Sequence, residues 1–407
     1  MFLGSSIIKG RNRWLLPYTL LVLACFAFVN RAVAQFEFVQ ITDPHLFDSR
    51  DLEHEENLKA FAASIEKANS LIAEGADFPF AIVTGDWGVE ALARNPREAD
   101  EKLRGAANET AEMLGKSRIK EWLLLPGNND LINENPLSLG EYRKFVQLIQ
   151  RALRRRSSKV NMTDLTPYRH IPDSGIYLHN GFAFLGFNNA SFKANGRKKD
   201  MEQWTRDQIG EVGLVEDRLL KALSANAKTL SGAFIFYHIP EVDDPFRLQQ
   251  WRENENGPVR KWIEDKGLKA GDRFAMSGWT VSDELRDYWD RIVENDSVKG
   301  LFTGHLHDGR RPTYADLNWI EKSRYTSVDR GKLFICPPIS VKRQKTACGF
   351  QVVSIGVHGE VSRRIAWYDG TSFTIDPGPH QSKGWAGTVF ILLTTFIILV
   401  LIVKFRG

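Results

Sequence analysis

Five short apolar runs in this chain of 407 residues each lead, at their C-terminal side, into residues that carry chemistry. That recurrence constrains the fold more than any bulk property. Residues 36–42 (FEFVQIT) run into Asp43-Pro44-His45, and residues 80–84 (FAIVT) run into Gly85-Asp86. Residues 122–125 (WLLL) lead through Pro126 to Gly127-Asn128-Asn129-Asp130. Residues 233–237 (AFIFY) end at His238, and residues 298–303 (VKGLFT) end at Gly304-His305-Leu306-His307. Short apolar and β-branched runs bounded by Gly or Pro read as buried strands. Between and after them lie stretches of helical periodicity at 57–72, 99–114 and 210–223, another strand-like run at 181–187, and a mostly β region from residue 332. In that last region, 350–355 and 361–367 flank a turn at Gly359. The alternation of strand and helix predicts a layered α/β domain. The connections 128–176 and 241–282 exceed ordinary loop lengths, so they are expected to carry local helices and to shape a cleft.

The two ends of the chain read differently from its body. Lys9, Arg11 and Arg13 precede an apolar stretch at 14–29, and Ala32-Val33-Ala34 follows it. A basic head, a short apolar core and a small-x-small exit describe a secretory signal peptide over 1–34. Residues 385–403 contain no charge. As a helix they reach roughly 28 Å at 1.5 Å per residue, the thickness of a bilayer core. Trp385 marks one interface, and Lys404 and Arg406 suit the cytoplasmic side. The expected organisation is therefore a signal peptide (1–34), a catalytic domain (35–380), a transmembrane helix (385–403) and a cytoplasmic tail (404–407). The domain would face away from the cytoplasm, in a periplasmic, extracellular or lumenal space.

Composition adds limits rather than a function. The body is ordinary for a globular domain, with 43% hydrophobic and 26% charged residues over the chain. A formal net charge of +4 is too small to argue for nucleic acid, and none is expected as a partner. Basic residues concentrate between Arg143 and Lys159, which reads either as a solvated helix face or as an anion-steering patch. Cys336 and Cys348 are close enough in sequence to pair in an oxidising compartment, but their spacing matches no zinc motif.

In α/β sheets the ligand site lies beyond the carboxyl ends of the strands. Carboxylate, imidazole and amide groups brought to one rim form a ligand set suited to Mn, Fe or Zn. Glycines before Asp86, Asn128 and His305 let the backbone turn sharply there.

At this point Asp43-x-His45, Gly85-Asp86, Gly127-Asn128-x-Asp130, His238 and Gly304-His305-x-His307 resemble, in order and spacing, the calcineurin-like metallophosphoesterases. The resemblance runs from about residue 36 to 368. It implies a two-sheet β-sandwich flanked by helices and a dinuclear centre of two divalent transition-metal ions. Asp43, His45, Asp86 and His307 would hold one ion. Asp86 would bridge to a second, held also by Asn128, His238 and His305. The implied activity is phosphoester hydrolysis, as a phosphatase or phosphodiesterase, with the two ions activating a bridging water. The substrate would be a phosphorylated small molecule, a lipid or a cell-envelope component.

Two departures from the family pattern bear on chemistry. Many relatives carry histidine where this chain has Asn129. That histidine contacts the substrate phosphate and helps the leaving group, and the residue matching Asp130 orients it. Asn129 can donate a hydrogen bond but cannot act as an acid at neutral pH. Val89 stands where purple acid phosphatases have tyrosine, so a ferric-tyrosinate site is not expected. The competing reading is a catalytically weak, metal-stabilised binding domain in which Asn129 marks lost chemistry.

Overall fold

The computed structural model of the chain describes residues 36–47, 54–131, 139–167, 174–188, 218, 221, 230–238, 292, 294–305, 332–340 and 348–375. The signal peptide (1–34), the transmembrane run (385–403) and the tail (404–407) lie outside the described residues. So do the connection 241–282 and, apart from Arg218 and Lys221, the helix expected over 210–223. Among the described residues, no helix is long and apolar enough to cross a membrane.

The architecture is mixed α/β with two sheets. Strands β1 (Phe36–Ile41), β2 (Phe80–Thr84), β3 (Glu121–Leu125) and β4 (Asn161–Asp164) lie side by side and parallel. Strand β10 (Gly349–Ile355) pairs antiparallel with β1, and β11 (Val361–Tyr368) and β12 (Phe373–Ile375) extend that side. The order across this seven-stranded sheet is β12-β11-β10-β1-β2-β3-β4. The second sheet has five strands in chain order: β5 (Ile176–His179), β6 (Phe182–Gly186), β7 (Gly232–Phe236), β8 (Val298–Thr303) and β9 (Leu333–Ile335). Strands β6 to β9 are parallel, and β5 joins β6 as a hairpin. The hairpin turn, Asn180-Gly181, has positive φ at both residues. That is the backbone whose twist matches the flanking strands, and Asn-Gly tolerates it.

Strand β2 is buried along its whole length because both of its faces are covered. Its inward residues, Phe80 and Ile82, join Phe38, Leu123 and Leu125 of the same sheet and Phe182, Phe184, Phe234, Phe236 and Phe302 of the other in one apolar layer. Within it Phe236 and Phe302 stack at 4.9 Å, and Phe80 meets Phe184 edge-on at 4.8 Å. Such pairs contribute about 0.5–1.5 kcal/mol each beyond the area they bury. The alternate residues, Val39, Ile41, Ala81, Val83, Trp122 and Leu124, face outward and pack under helices. Those helices are α1 (His54–Ala73), the single-turn α2 (Val89–Ala93), α3 (Ala99–Leu114) and α4 (Gly140–Arg155). Helix α4 buries Tyr142, Phe145, Ile149 and Leu153 and leaves Arg151, Arg154 and Arg155 exposed.

Helix α4 and strand β4 account for much of the long connection expected over 128–176. Cys336 and Cys348 are both buried and unbridged. The Cys336 thiol donates to the Gln40 carbonyl at 3.4 Å and the Cys348 thiol to the Ser340 carbonyl at 3.3 Å. Burial pushes the Cys336 thiol up, so it stays protonated and unreactive.

Candidate metal centre

Parallel pairing of β1, β2 and β3 puts their carboxyl ends on one edge of the first sheet, and β7 and β8 do the same for the second. The segments beyond those ends are tied to one another. Asp43 and His45 donate backbone N–H groups to the carbonyls of Gly85 and Asp86, at 3.1 and 2.7 Å. Gly304 N–H donates to the His238 carbonyl at 2.9 Å. The rim is thus a cross-braced set of turns, not free loops.

Four of the expected ligands meet here. Ligand atoms of Asp43, Asp86, His238 and His305 all lie within 4.8 Å of one another. His45 joins them, with Nε2 at 3.8 Å from Asp43 Oδ1 and 3.5 Å from Asp86 Oδ2. His238 Nε2 is 3.3 Å from Asp86 Oδ2 and 3.2 Å from His305 Nδ1. The tautomer of His238 follows from its other nitrogen. Nδ1 lies 2.6 Å from the Thr84 carbonyl, which can only accept, so Nδ1 carries the proton. In the neutral ring Nε2 is then a lone pair aimed at a carboxylate and at a second imidazole. A lone pair facing a carboxylate oxygen, which can only accept, calls for a proton or a metal cation between them. Asn128 is 8% exposed, and its Oδ1 is buried with no hydrogen-bond partner among the described residues. The site therefore fits a cation: clustered carboxylate and imidazole acceptors with an orphaned amide oxygen at the turn beside them. His307 lies outside the described residues.

The backbone shows the same concentration. Six non-glycine residues among those described have positive φ, and four are Asp43 (53°), His45 (43°), Asp86 (61°) and His305 (70°). Left-handed conformation in such residues costs on the order of 1–3 kcal/mol each and persists where the surroundings impose it, typically at functional sites. The glycines act mainly through close approach, which differs from the sharp turning expected of them. Of the glycines at these turns, Gly85 has positive φ, at 88°. A Cβ on Gly127 would lie 2.1 Å from Asp86 Oδ1, and one on Gly304 would lie 1.8 Å from Thr42 Oγ1.

The two residues expected to serve catalysis sit at the short 3-10 turn Asn128–Asp130. Asn129 donates to Asp86 twice, from its backbone N–H to Oδ1 at 2.8 Å and from Nδ2 to Oδ2 at 2.9 Å. Asp130 is fully buried and accepts only backbone N–H groups in the bonds it makes here: Gly88 and Val89 at Oδ1, 3.0 and 3.3 Å, and Gly127 at Oδ2, 2.9 Å. It staples the loop after β2 to the loop after β3. That is a bracing geometry, different from the orienting contact on residue 129 that the family pattern implies.

Electrostatics follow from this crowding. Burial alone would raise the Asp86 carboxyl. The His238 imidazole, by charge and hydrogen bond, and then His45 overcome burial and hold Asp86 low, against opposition from Asp43. Burial would lower His238, but the charges of Asp86 and Asp43, with hydrogen bonds to Asp86 and Thr84, raise it to about 9. Asp130 rises to about 7, first from burial and then from the Asp86 charge. In the metal-free chain, then, His238 holds a proton between the carboxylates up to about pH 9. A cation needs the neutral ring and must displace that proton. Apparent affinity for Mn²⁺ is expected to weaken about tenfold per pH unit as pH falls from about 8.5 to about 6.5. Calorimetric titration across that range checks this, and affinity independent of pH would contradict it.

Several residues that position the site carry no ligand motif. Asp43 Oδ2 accepts from the His305 backbone N–H at 2.8 Å and from the Thr42 hydroxyl at 2.7 Å, which leaves Oδ1 for the histidines. Thr84 holds His238 through its carbonyl, and Gln40 Nε2 donates to the Thr84 hydroxyl at 3.1 Å. Asn57 on α1 donates to the His45 carbonyl at 3.1 Å. A signal for the threonines does exist. The apolar runs before Asp43, Gly85 and Gly304 all end on threonine: Thr42, Thr84 and Thr303.

No protein-family model matches the chain, and no curated protein matches it. Among solved structures it is similar to a purple acid phosphatase isolated from yellow lupin (Lupinus luteus) seeds, at 9% identity and a TM-score of 0.35, over 84% of this chain and 52% of that one. It is also similar to a structure of PhoD, at 11% identity and a TM-score of 0.38, over 87% of this chain and 74% of that one. The chain thus spans about half the length of the plant protein.

Proposed function

We propose that this chain is a metal-dependent phosphoester hydrolase whose centre takes two divalent transition-metal ions, Mn, Fe or Zn. The observation that carries the reading is the convergence of Asp43, Asp86, His238 and His305 within 4.8 Å at the strand ends. Asp43, His45, Asp86 and His307 would hold one ion, and Asp86, Asn128, His238 and His305 the other. When bound, such a pair supplies Lewis-acid charge for a phosphoryl oxygen and lowers the pKa of a water. The protein's own residues set the geometry. Asp86 turns Oδ2 toward His45 and His238, Asp130 fixes the two loops, and Thr84 fixes the His238 tautomer. The Asn129 amide sits beside the centre as a neutral donor able to hold a phosphoryl oxygen.

The test is turnover of phosphomonoesters, phosphodiesters and pyrophosphates by the Mn²⁺-loaded chain. Turnover of one class supports the reading, whereas ions bound without turnover of any class favours the binding-domain alternative. Asn129→His refines it. An alkoxide leaving group needs a proton, and a positioned acid contributes about 10²–10⁴-fold. The substitution is expected to raise the ratio of kcat/KM for an alkyl monoester to that for a nitrophenyl diester by at least about tenfold. An unchanged or lower ratio, with metal content matched, shows that Asn129 is not the missing-acid position.

We also propose that the domain is displayed outside the cytoplasm on a single C-terminal span, facing a phosphorylated small-molecule, lipid or envelope substrate. Support comes from the basic-apolar-small pattern of residues 1–34 and the uncharged run 385–403. Protease added outside sealed cells should cut the domain. Protection of the domain, with cleavage of a tag after Gly407, would reverse the orientation.

A further inference from the structure

The opposite end of the first sheet carries a second feature, unrelated to the metal rim. A cleft of about 640 Å³ opens where α3 ends, where residues 116–120 lead into β3, and where residues 156–160 lead into β4. Its walls include Lys116, Arg118, Lys120, Arg156 and Lys159. Its one acidic residue is Glu112, which lies 3.7 Å from Arg156. Among the described residues no carboxylate pairs with the other four cations. Helix C-termini attract cations, and α3 and α4 both end here, so some of this charge complements the helices. The surplus is what matters. Five cations face one carboxylate and about half a negative charge at each of two helix ends, which leaves roughly three positive charges.

Two serines in the wall point the same way. Ser117 Oγ accepts the Ile119 N–H at 3.0 Å, and Ser158 Oγ accepts the Val160 N–H at 3.2 Å. Each hydroxyl is held by a backbone donor, so its own proton remains for an acceptor in the cleft. A concave space of this volume suits a small-molecule ligand.

We propose that this cleft binds a ligand carrying clustered phosphate groups. The five-residue strand β3 separates it from the metal rim by roughly 17 Å at 3.3 Å per residue. An anion held there contacts none of the metal ligands, and the proposal is independent of the reading of that centre. The clustered phosphates could belong to a soluble polyphosphorylated molecule or to the headgroup of a polyphosphoinositide lipid.

The probe is inositol hexakisphosphate, titrated by calorimetry into the full chain without added metal at about 150 mM salt. Two triple variants with equal loss of charge are compared. One is Lys116→Gln/Arg118→Gln/Lys159→Gln in the cleft. The other is Arg151→Gln/Arg154→Gln/Arg155→Gln on the exposed face of α4. Wild type is expected to bind one equivalent. The cleft variant should weaken binding about tenfold or more, and the α4 variant by less than about threefold. Equal weakening by both variants would show bulk attraction and overturn the proposal, as would absence of binding by wild type. Vesicles containing a phosphatidylinositol bisphosphate distinguish the sources. Capture that the cleft variant loses assigns a lipid headgroup, and hexakisphosphate binding without capture assigns a soluble anion.

Discussion

Asp86→Asn is expected to cut hydrolysis at least about a thousandfold, a loss of ~4 kcal/mol of transition-state stabilisation. The substitution keeps volume and removes charge at the carboxylate nearer to both rings: Asp86 Oδ2 lies 3.5 Å from His45 Nε2 and 3.3 Å from His238 Nε2, against 3.8 and 3.9 Å for Asp43 Oδ1. An asparagine there turns an N–H₂ group or a neutral oxygen toward those rings, and neither bridges two cations. A second readout separates this account from general damage. The Asp86 charge is a principal cause of the elevated His238 pKa, so in the metal-free variant His238 should titrate well below about 9. Kinetics with matched metal, together with NMR titration of the histidines, check both. Activity within about tenfold of wild type would remove Asp86 from the bridging role.

Gly127→Ala should be nearly as damaging, for a reason of packing. Gly127 has an ordinary extended backbone, φ −103° and ψ −176°, so alanine meets no conformational penalty there. The added Cβ would instead lie 2.1 Å from Asp86 Oδ1 and 2.4 Å from the Asp86 backbone nitrogen. Relief requires moving the loop after β2, which Asp130 braces. Overpacking of this kind costs about 1–3 kcal/mol and here would also displace Asp86, a proposed metal ligand. The expected result is a lower Tm and a loss of at least about tenfold in Mn²⁺ affinity. Gly105→Ala is the control. Gly105 is exposed within α3 with nothing near its missing Cβ, so alanine there should stabilise by up to about 1 kcal/mol and leave metal affinity alone. A Gly127→Ala protein with unchanged metal affinity would contradict the packing at this loop.

The features legible in the amino-acid sequence are local ones. Strands β2 and β8 and helix α3 have the bounds that their apolar runs predict, because buried strands and amphipathic helices write their period directly into the chain. Ligand-type residues are legible for the same reason, since each follows a recognisable strand end. Features that depend on neighbours distant in sequence are not legible. Nothing in the sequence around Asp43 or His305 announces a left-handed backbone, which arises from ties to the Gly85 loop and to Asp43 itself. By pattern alone Asp130 is an orienting group for residue 129. Its actual partners are Gly127 nearby and Gly88 and Val89, which arrive from the segment that follows another strand. Spacing makes Cys336 and Cys348 pairable, yet each thiol spends itself on a different carbonyl, one in β1 and one at Ser340. The basic cluster at 143–159 is divided in the fold, its residues through Arg155 lying on α4 and Arg156 and Lys159 lining the cleft.

The central claim is that these strand ends form a cation site with room in its ligand set for two ions. Metal analysis of the full-length chain after Mn²⁺ or Fe²⁺ reconstitution and removal of loose metal tests it most directly. Two ions per chain are expected in the wild type and at most one in Asp86→Asn. Fewer than one ion per wild-type chain would contradict it.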